Sequence, residues 1–456
     1  MRSETIQAQA GAGAWRALWL LFAINFLNFF DRTIPAVVLE PIRHEFGLTD
    51  TMLGLLATAF TLVYAVAGIP LGRLSDRLPR NRILGGGVLV WSALTAASGM
   101  VTGFWSFFMV RLGVGVGEAC CTPAATSLIG DLFPSRQRAR AFGIFMLGLP
   151  AGSLACFALV GYLAQHYGWR VSFVLAALPG ALLAVLVMRM REPRRGAQES
   201  YHVDQHAPVA RPFRTLMRIR TVWWIILAGV GANFAAYAMS SFLPAFLARY
   251  HGMNVAQAGG VSAVVLGLTG VLGLLAGGPL ADRLQQRAPH ARLLLGAVCF
   301  LLAAPLLWLG LTQAQGAGAR LTALLAAGWL LYFSFFVSAY PALQDVVDPR
   351  LRATATALYV FFAYVLGGGA GALATGMLSD YYAASAQLAA GGSAITETLR
   401  GVGLQRALAA LVPGAMLLAG LALWMGSRSF TADVRRVAAD AAASTKASTS
   451  VTRKAS

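Results

Sequence analysis

Long apolar stretches, separated by short polar ones, recur along the 456 residues of this chain. Each is about 20 residues long, which is enough for a helix to cross a hydrocarbon core of about 30 Å. The pattern predicts twelve membrane-spanning helices, at residues 16–39, 51–73, 82–102, 104–129, 140–163, 169–189, 221–248, 258–280, 291–313, 319–343, 352–379 and 402–426. We therefore expect an all-α polytopic membrane protein.

The composition agrees with a membrane protein and argues against an enzyme. Hydrophobic residues make up 57% of the chain and charged residues only 12%, about half of what soluble proteins carry. The four cysteines lie in predicted spans, where they pack as small apolar residues, and the six histidines show no ligand-like spacing. No nucleophile stands beside a base. The sequence predicts no metal, no cofactor and no catalytic centre.

The net charge of +18 would suit a nucleic-acid partner, but its distribution along the chain indicates membrane topology instead. Of the 36 Lys and Arg residues, 28 lie on one set of alternating connections and six on the other, with two inside spans. Basic connections stay on the cytoplasmic side. Both termini are therefore predicted to be cytoplasmic, in an inner or plasma membrane. Contact of a few arginines with lipid headgroups is the open alternative.

Internal repeats divide the chain into two halves. The motif "GRLSDRL" at 72–78 returns as "GPLADRL" at 278–284, and "DLFPSRQRARA" at 131–141 returns as "DVVDPRLRATA" at 345–355. An even number of spans in each half points both copies the same way, so the halves should be related by an axis along the membrane normal. The predicted organisation is a six-helix half (1–190), a cytoplasmic linker (191–220), a second six-helix half (221–426) and a disordered cytoplasmic tail (427–456).

The repeated motif resembles that of the major facilitator superfamily, over essentially the whole chain. The superfamily motif has a glycine, an acid–arginine pair and a basic cluster, matched here by Gly72, Asp76, Arg77, Arg80 and Arg82, with Pro79 where glycine is usual. The resemblance implies that Asp76 pairs with Arg138 or Arg140 to hold the inward side shut. A solvated loop that obeys only the topology rule is the alternative. The gating residues that we predict are Asp76, Arg77, Arg80, Arg138, Arg140 and Asp282.

Four charged residues lie well inside predicted spans, and all four belong to the first half: Asp31, Arg32, Arg111 and Glu118. The repeat puts Met239 and Ser240 opposite the first two and Leu325 and Tyr332 opposite the last two. An unpaired charge at membrane depth costs several kcal/mol, so these groups should face a cavity and each other. One half has charged side chains at these depths, and the other has apolar and aromatic ones.

The helical rise of 1.5 Å per residue places Asp31 and Arg111 at a similar depth, so we expect an ion pair or close contact between them in at least one conformation. Glu118 follows Arg111 two turns along the same helical face. The glycines of "RLGVGVGE" (111–118) have two interpretations: close helix packing, or space for a ligand. A static buried ion-pair network is the alternative to a transport site.

The pair of motifs "NFFDR" (28–32) and "RLGVGVGEA" (111–119) is similar to that of the Spinster branch, whose members are associated with lysophospholipid and sphingoid-lipid transport. The organic-anion–cation symporters share much of this pattern. The resemblance implies that Arg32 meets an anionic headgroup. It also implies that Asp31, Arg111 and Glu118 couple protonation to alternating access, since an acid in a low-dielectric cavity can exchange protons near neutral pH.

The expected substrate is an amphipathic anionic lipid, lysophospholipid-like or sphingoid-like, moved by a proton-coupled secondary transporter. Arg32 and Glu118 would bind the headgroup, while Phe234, Tyr237, Met239 and Tyr332 of the second half would contact the chain. A small organic anion symporter and a multidrug-type exporter are the alternatives. The expected partners are the substrate, protons and membrane lipids, with no nucleic acid, and the protein is predicted to be a monomer.

Overall fold

The computed structural model of the protein describes residues 11–194, 212–288, 290–347, 351–390 and 394–455, which contain helices and no strand. The helices before the linker are α1 (Ala12–Val37), α2 (Leu39–Phe46), α3 (Asp50–Arg77), α4 (Arg80–Ser98), α5 (Phe104–Glu118), α6 (Cys121–Leu132), α7 (Ser135–Met146), α8 (Gly148–Tyr167) and α9 (Trp169–Arg189). Those after it are α10 (Pro212–Met217), α11 (Arg220–His251), α12 (Val255–Ser262), α13 (Thr269–Arg287), α14 (Ala291–Leu311), α15 (Gly318–Tyr332), α16 (Ser334–Asp345), α17 (Arg352–Phe362), α18 (Ala370–Ala389) and α19 (Glu397–Ala455). Two π-helical segments, Ala263–Leu268 and Ala363–Gly369, join α12 to α13 and α17 to α18.

Eleven helical segments of the described chain are long and apolar enough to cross a membrane. They correspond to eleven of the twelve predicted spans. The remaining predicted span is α4, a helix of 19 residues whose first turn carries the polar sequence Arg80-Asn81-Arg82. The all-α, multi-pass fold expected from the sequence is therefore confirmed.

Prolines explain two of the breaks that divide spanning segments into shorter helices. Pro123 has no N–H to donate to the carbonyl of Ala119, four residues earlier, and the break between α5 and α6 falls at residues 119–120. Pro150 stands in the same relation to Met146, where α7 ends. The first of these breaks follows directly after Glu118, so the buried acid lies at the end of a helix.

Packing divides the chain into two units. The first contains Met1–Val203, Ser240–Val271 and Ala372–Arg406, and the second contains Asp204–Met239, Leu272–Gly371 and Ala407–Ser456. The first unit thus combines the whole first half of the sequence with two portions of the second half. The sequence did not predict this division. A repeat shows where the sequence divides into two halves, but it does not show which helices of one half pack against the other.

The predicted tail and linker differ from what the structure shows. The last helix, α19, continues through the predicted start of a disordered tail at residue 427. Ser427, Phe430 and Asp433 are buried, so residues 427–437 pack as part of this helix and the prediction of disorder is wrong for them. An Ala-rich sequence has a high intrinsic helix propensity, which also favours continuation. In the predicted linker, residues 195–211 lie outside the described residues, and α10 forms just after them.

Candidate substrate and proton site

The four intramembrane charges predicted from the sequence lie together in the first unit. Arg32 on α1 donates from Nε to Glu118 Oε2 on α5, at 2.9 Å. The side chains of Asp31 and Glu118 are fully buried, Arg111 is 5% exposed, and Arg32 is the most accessible of the four at 11%. Arg32 is therefore the cation of this cluster with the greater access to solvent.

Asp31 does not form the ion pair that the sequence predicts. Among the described residues its two buried carboxylate oxygens accept no hydrogen bond, so the expected ion pair with Arg111 is not formed in this structure. Arg111 still interacts with Asp31 electrostatically, and Thr95 and Trp91 lie beside the carboxyl. The Asp31–Arg111 contact stays a prediction for another conformation.

Aromatic rings surround the two arginines. The Arg32 guanidinium lies 4.2 Å from the ring centroid of Tyr64, 5.0 Å from that of Phe29 and 5.2 Å from that of Phe60. The Arg111 guanidinium lies 4.9 Å from the same Phe60 ring. Cation–π contacts of this kind compensate part of the cost of burying a guanidinium. Sequence reasoning missed Phe60 and Tyr64, although their spacing of four residues on α3 puts them on one helical face.

The glycines before Glu118 serve helix packing. A side chain at Gly113 would meet Leu94 at 2.8 Å, one at Gly115 would meet the Phe60 carbonyl at 3.2 Å, and one at Gly117 would meet the Trp91 backbone at 3.0 Å. Of the two interpretations that the sequence allowed, the structure therefore supports close packing. This packing holds α5 against α3 and α4, and so fixes the position of Glu118 relative to the aromatic rings.

The aromatic residues predicted in the second half belong to the second unit and form a cluster there. Tyr332, at the end of α15, stacks on Trp329 with centroids 4.6 Å apart and interacts electrostatically with Tyr237. Tyr237 packs against Tyr364 at 6.2 Å, and Tyr364 belongs to the π-helical segment before α18. Phe234 and Tyr237 are partly exposed, whereas Met239 is fully buried.

Two residues that sequence reasoning missed add hydroxyl groups to this tyrosine cluster. Tyr359 is buried and interacts electrostatically with Tyr332 and Tyr364. Tyr340 packs edge-on against Tyr359, with ring centroids 5.3 Å apart. The expected apolar wall is therefore amphipathic, because each tyrosine brings an apolar ring with a polar tip.

Of the predicted gating residues, Arg80 has the most contacts. It is buried and donates to Glu192 Oε1 at 2.9 Å, to Ser127 Oγ at 2.9 Å and to Asp131. Ser127 and Asp131 belong to the first half, and Glu192 lies at the start of the predicted linker, so the observed contacts of Arg80 tie the first half to the residues that directly follow it.

Of the other predicted gating residues, the structure describes the side chains of three, and each makes few contacts. The side chains of Asp76 and Asp282 lie outside the described residues, and Arg77 is exposed. Arg138 donates to the carbonyl of Gly130 at 2.8 Å, and the Arg140 guanidinium lies 5.5 Å from the Trp15 ring. The pairing of Asp76 with Arg138 or Arg140 stays a prediction.

A second ionic network, which the sequence did not reveal, lies at the predicted outer ends of the helices. Arg249 at the end of α11 is 2% exposed and donates to Glu40 Oε1 and to Asp50 Oδ2, both at 2.7 Å. Arg43 contacts Glu397 at 2.5 Å. Each bond joins a residue of the first sequence half to one of the second, and all lie within the first unit. We call these five residues the outer network.

The carboxylate of Asp380 on α18 extends the outer network to a helix end. It accepts hydrogen bonds from the backbone N–H of Asp50 at 3.2 Å and of Thr51 at 2.9 Å, and from the Thr51 hydroxyl at 2.6 Å. A carboxylate at a helix N-terminus satisfies free donors and interacts favourably with the helix dipole. Ser379 also donates to Asp50, at 2.7 Å. The start of α3 is thus capped by a residue about 330 positions away.

Neighbouring acids at the same end have other roles. Glu40, His44 and Glu397 bring ligand atoms within 4.8 Å of one another, a spacing that a metal ion can use. Arg43 already contacts both carboxylates, so we interpret the group as an ion-pair cluster. Nearby, a hydrogen bond from Arg170 holds the pKa of the Glu45 carboxyl below its usual value.

A multi-pass helical protein with a buried acid–arginine pair and an ionic network between its sequence halves has the construction of a secondary transporter. The chain matches the model of the Major Facilitator Superfamily over residues 21–372, and it belongs to that superfamily. It is therefore an integral membrane transporter and not an enzyme.

Three similar proteins refine this placement. An MFS-type efflux pump of Mycolicibacterium smegmatis is 32% identical, covering 92% of this chain and 94% of the pump. The sphingosine-1-phosphate transporter SPNS2 of Xenopus tropicalis is 30% identical, covering 80% of this chain and 73% of that protein. The inward-facing, unoccupied crystal structure of a bacterial homologue of the human lysosomal transporter Spinster is 27% identical, with a TM-score of 0.83, covering 92% of this chain and 98% of that one. The resemblance to the Spinster branch is confirmed.

Proposed function

We propose that this protein is a proton-coupled transporter of an amphipathic anion, with Arg32 as the anion-binding group and Glu118 as the proton-binding group. The observation that carries the proposal is the buried 2.9 Å contact between them. Arginine keeps its charge at any physiological pH and binds carboxylate or phosphate through two parallel hydrogen bonds. Glu118 accepts one of the hydrogen bonds that Arg32 could otherwise donate to an anionic substrate.

The competition for Arg32 gives a mechanism for coupling. An ionised Glu118 holds Arg32, and an anionic substrate must displace it. Protonation of Glu118 removes the competing charge, so a proton and an anion favour each other's binding. Binding of two ligands that favour each other is reciprocal and is what symport requires. Asp31, which accepts no hydrogen bond from the described residues, is the second acid of the site that we propose to take up a proton.

The aromatic character of the tyrosine cluster favours an amphipathic substrate. Tyr237 presents a partly exposed ring that an alkyl chain can contact, whereas Tyr332 is buried in this structure. Each methylene that is buried adds about 0.8 kcal/mol. The hydroxyls of the partly exposed Tyr237 and Tyr364 can accept hydrogen bonds from the hydroxyl or amine of a sphingoid-like or glycerol backbone. The similarity to a sphingosine-1-phosphate transporter supports the same substrate class.

Chain-length dependence tests the substrate class. With purified protein, the affinity for lysophospholipids of one headgroup should rise by roughly fourfold for each added methylene that is buried, which is the equivalent of 0.8 kcal/mol. The Arg32→Ala variant should lose binding at every chain length, because it removes the anion-binding group. Arg189→Ala, which removes an exposed arginine outside the transport site and the predicted gate, is the matched control and should bind normally.

The two alternative functions give different results in the same assay. Equal binding of a chainless anion and of the lysolipid, with loss of both in Arg32→Ala, would identify a small organic anion symporter. Unchanged binding in Arg32→Ala, together with binding of uncharged or cationic amphiphiles, would identify a multidrug-type exporter, the class to which the similarity with an efflux pump points. Either result would overturn the amphipathic-anion proposal.

A further inference from the structure

The second unit contains a cavity that the transport site does not use. Its volume is about 1050 Å³, and it lies where α11 begins and the spanning part of α19 ends. Four arginines and two tryptophans contribute to its wall: Arg218, Arg220, Arg428, Arg436, Trp223 and Trp224. We call it the basic pocket. By the distribution of basic residues, this end of the helices is predicted to be cytoplasmic.

The charge of the basic pocket is left largely uncompensated. Its one carboxylate, Asp433, accepts hydrogen bonds from the backbone N–H and the hydroxyl of Thr221, at 3.0 and 2.8 Å, and so caps the start of α11. Arg436 is 3.8 Å from that carboxylate. Arg218, Arg220 and Arg428 form no ion pair with any described residue. Within the described part of the chain, three exposed guanidinium groups are therefore left without an anionic partner.

The surface next to the basic pocket is suited to a hydrocarbon chain. Leu417, Leu421 and Trp424 are 43%, 49% and 39% exposed, and with Arg428 they follow each other at intervals of three or four residues on one face of α19. This stripe is about 16 Å long from the first leucine to the arginine, at 1.5 Å per residue. The Arg428 guanidinium lies over the Trp424 ring, 3.9 Å from its centroid, at the point where the stripe meets the pocket.

From this arrangement we propose that the basic pocket binds the headgroup of an anionic phospholipid of the cytoplasmic leaflet, whose chains lie along the α19 stripe. Phosphate and guanidinium are matched in charge and geometry. Tryptophan at the membrane–water boundary places an apolar ring beside a polar headgroup. The proposal is independent of the transported substrate, since it concerns the outside of the second unit and not the residues of the transport site.

Lipid binding by the full-length, delipidated protein in detergent, measured by native mass spectrometry, tests the proposal. Dioleoyl phosphatidylglycerol should bind at least about tenfold more tightly than dioleoyl phosphatidylcholine, since several basic residues act on one anionic headgroup. A triple variant, Arg218→Gln, Arg220→Gln and Arg428→Gln, should reduce this preference to within about twofold. The single variant Arg428→Gln, at an exposed position, should show a preference for phosphatidylglycerol between those of the wild type and the triple variant. It replaces the triple variant in the test if the triple variant does not fold.

A matched triple variant controls for the loss of charge. Arg189→Gln, Arg283→Gln and Arg287→Gln remove three exposed arginines from the same predicted side, away from the pocket, and should leave the preference intact. An equal loss in this control would show a general effect of basic charge and would overturn the proposal. Displacement of phosphatidylglycerol by inorganic phosphate or by water-soluble glycerophosphoglycerol would identify a free-anion site and would also overturn it. An unchanged preference for phosphatidylglycerol in the Arg218, Arg220 and Arg428 triple variant would likewise overturn the proposal.

Discussion

Glu118→Gln is expected to abolish proton-driven accumulation of the substrate while downhill exchange survives. Glutamine keeps the size of the side chain but cannot take up or release a proton, so the group stays in its neutral form. A pH difference of one unit supports about tenfold accumulation for each coupled proton, because one unit corresponds to about 1.4 kcal/mol. In proteoliposomes the wild type should approach this ratio under such a gradient, and the variant should stay near one.

The competition between Glu118 and substrate for Arg32 predicts a second change in this variant. The affinity of the wild type for an anionic substrate should rise as the pH falls, since protonation of Glu118 releases Arg32. In Glu118→Gln the affinity should be high and independent of pH through this range. Glu45→Gln removes an exposed acid outside the spans and is the control for the loss of a carboxylate. Proton-driven accumulation by Glu118→Gln at the wild-type ratio would remove this residue from the mechanism.

The transport site illustrates what a sequence can predict about a membrane protein. Charges inside apolar spans are so costly that they must face one another or a cavity, and this argument alone brings Asp31, Arg32, Arg111 and Glu118 together. The cost of burying charge does not predict which acid pairs with which arginine. The observed pair is Arg32–Glu118, and the depth argument favoured Asp31–Arg111 because it fixes height along the membrane normal and leaves the rotation of each helix free.

The outer network and the packed start of the tail are features that the sequence could not predict. Asp380 caps α3 across about 330 residues, and no local pattern indicates a partner at that distance. Likewise, the charge of Arg249 in the sequence says nothing about which two carboxylates it binds. The tail was predicted to be disordered from its composition, yet the burial of Phe430 and the bond between Asp433 and Thr221 keep its first turns packed.

Because the outer network joins the two sequence halves, we propose that it keeps the outer side of the transporter closed, and Arg249→Gln should open it. The substitution leaves the buried carboxylate of Asp50 without its paired cation, while Glu40 keeps its contact with Arg43. Removing one partner of a buried ion pair typically costs about 3–5 kcal/mol. If that cost falls on the outer-closed state alone, its population relative to the outer-open state should drop by at least roughly 100-fold.

Spin labels at Met52→Cys on α3 and Tyr381→Cys on α18, in a background without the four native cysteines, report the outer opening as a distance. The distribution should shift to longer distances in Arg249→Gln. It should stay at the wild-type distance in Arg170→Gln, because that arginine pairs with Glu45 at the surface, where ion pairs contribute about 0–1 kcal/mol. Adding Asp50→Asn to Arg249→Gln removes the orphaned carboxylate and should restore much of the short distance, since the penalty comes from its uncompensated charge. An unchanged distance in a folded Arg249→Gln protein would show that the network stabilises the first unit without controlling access.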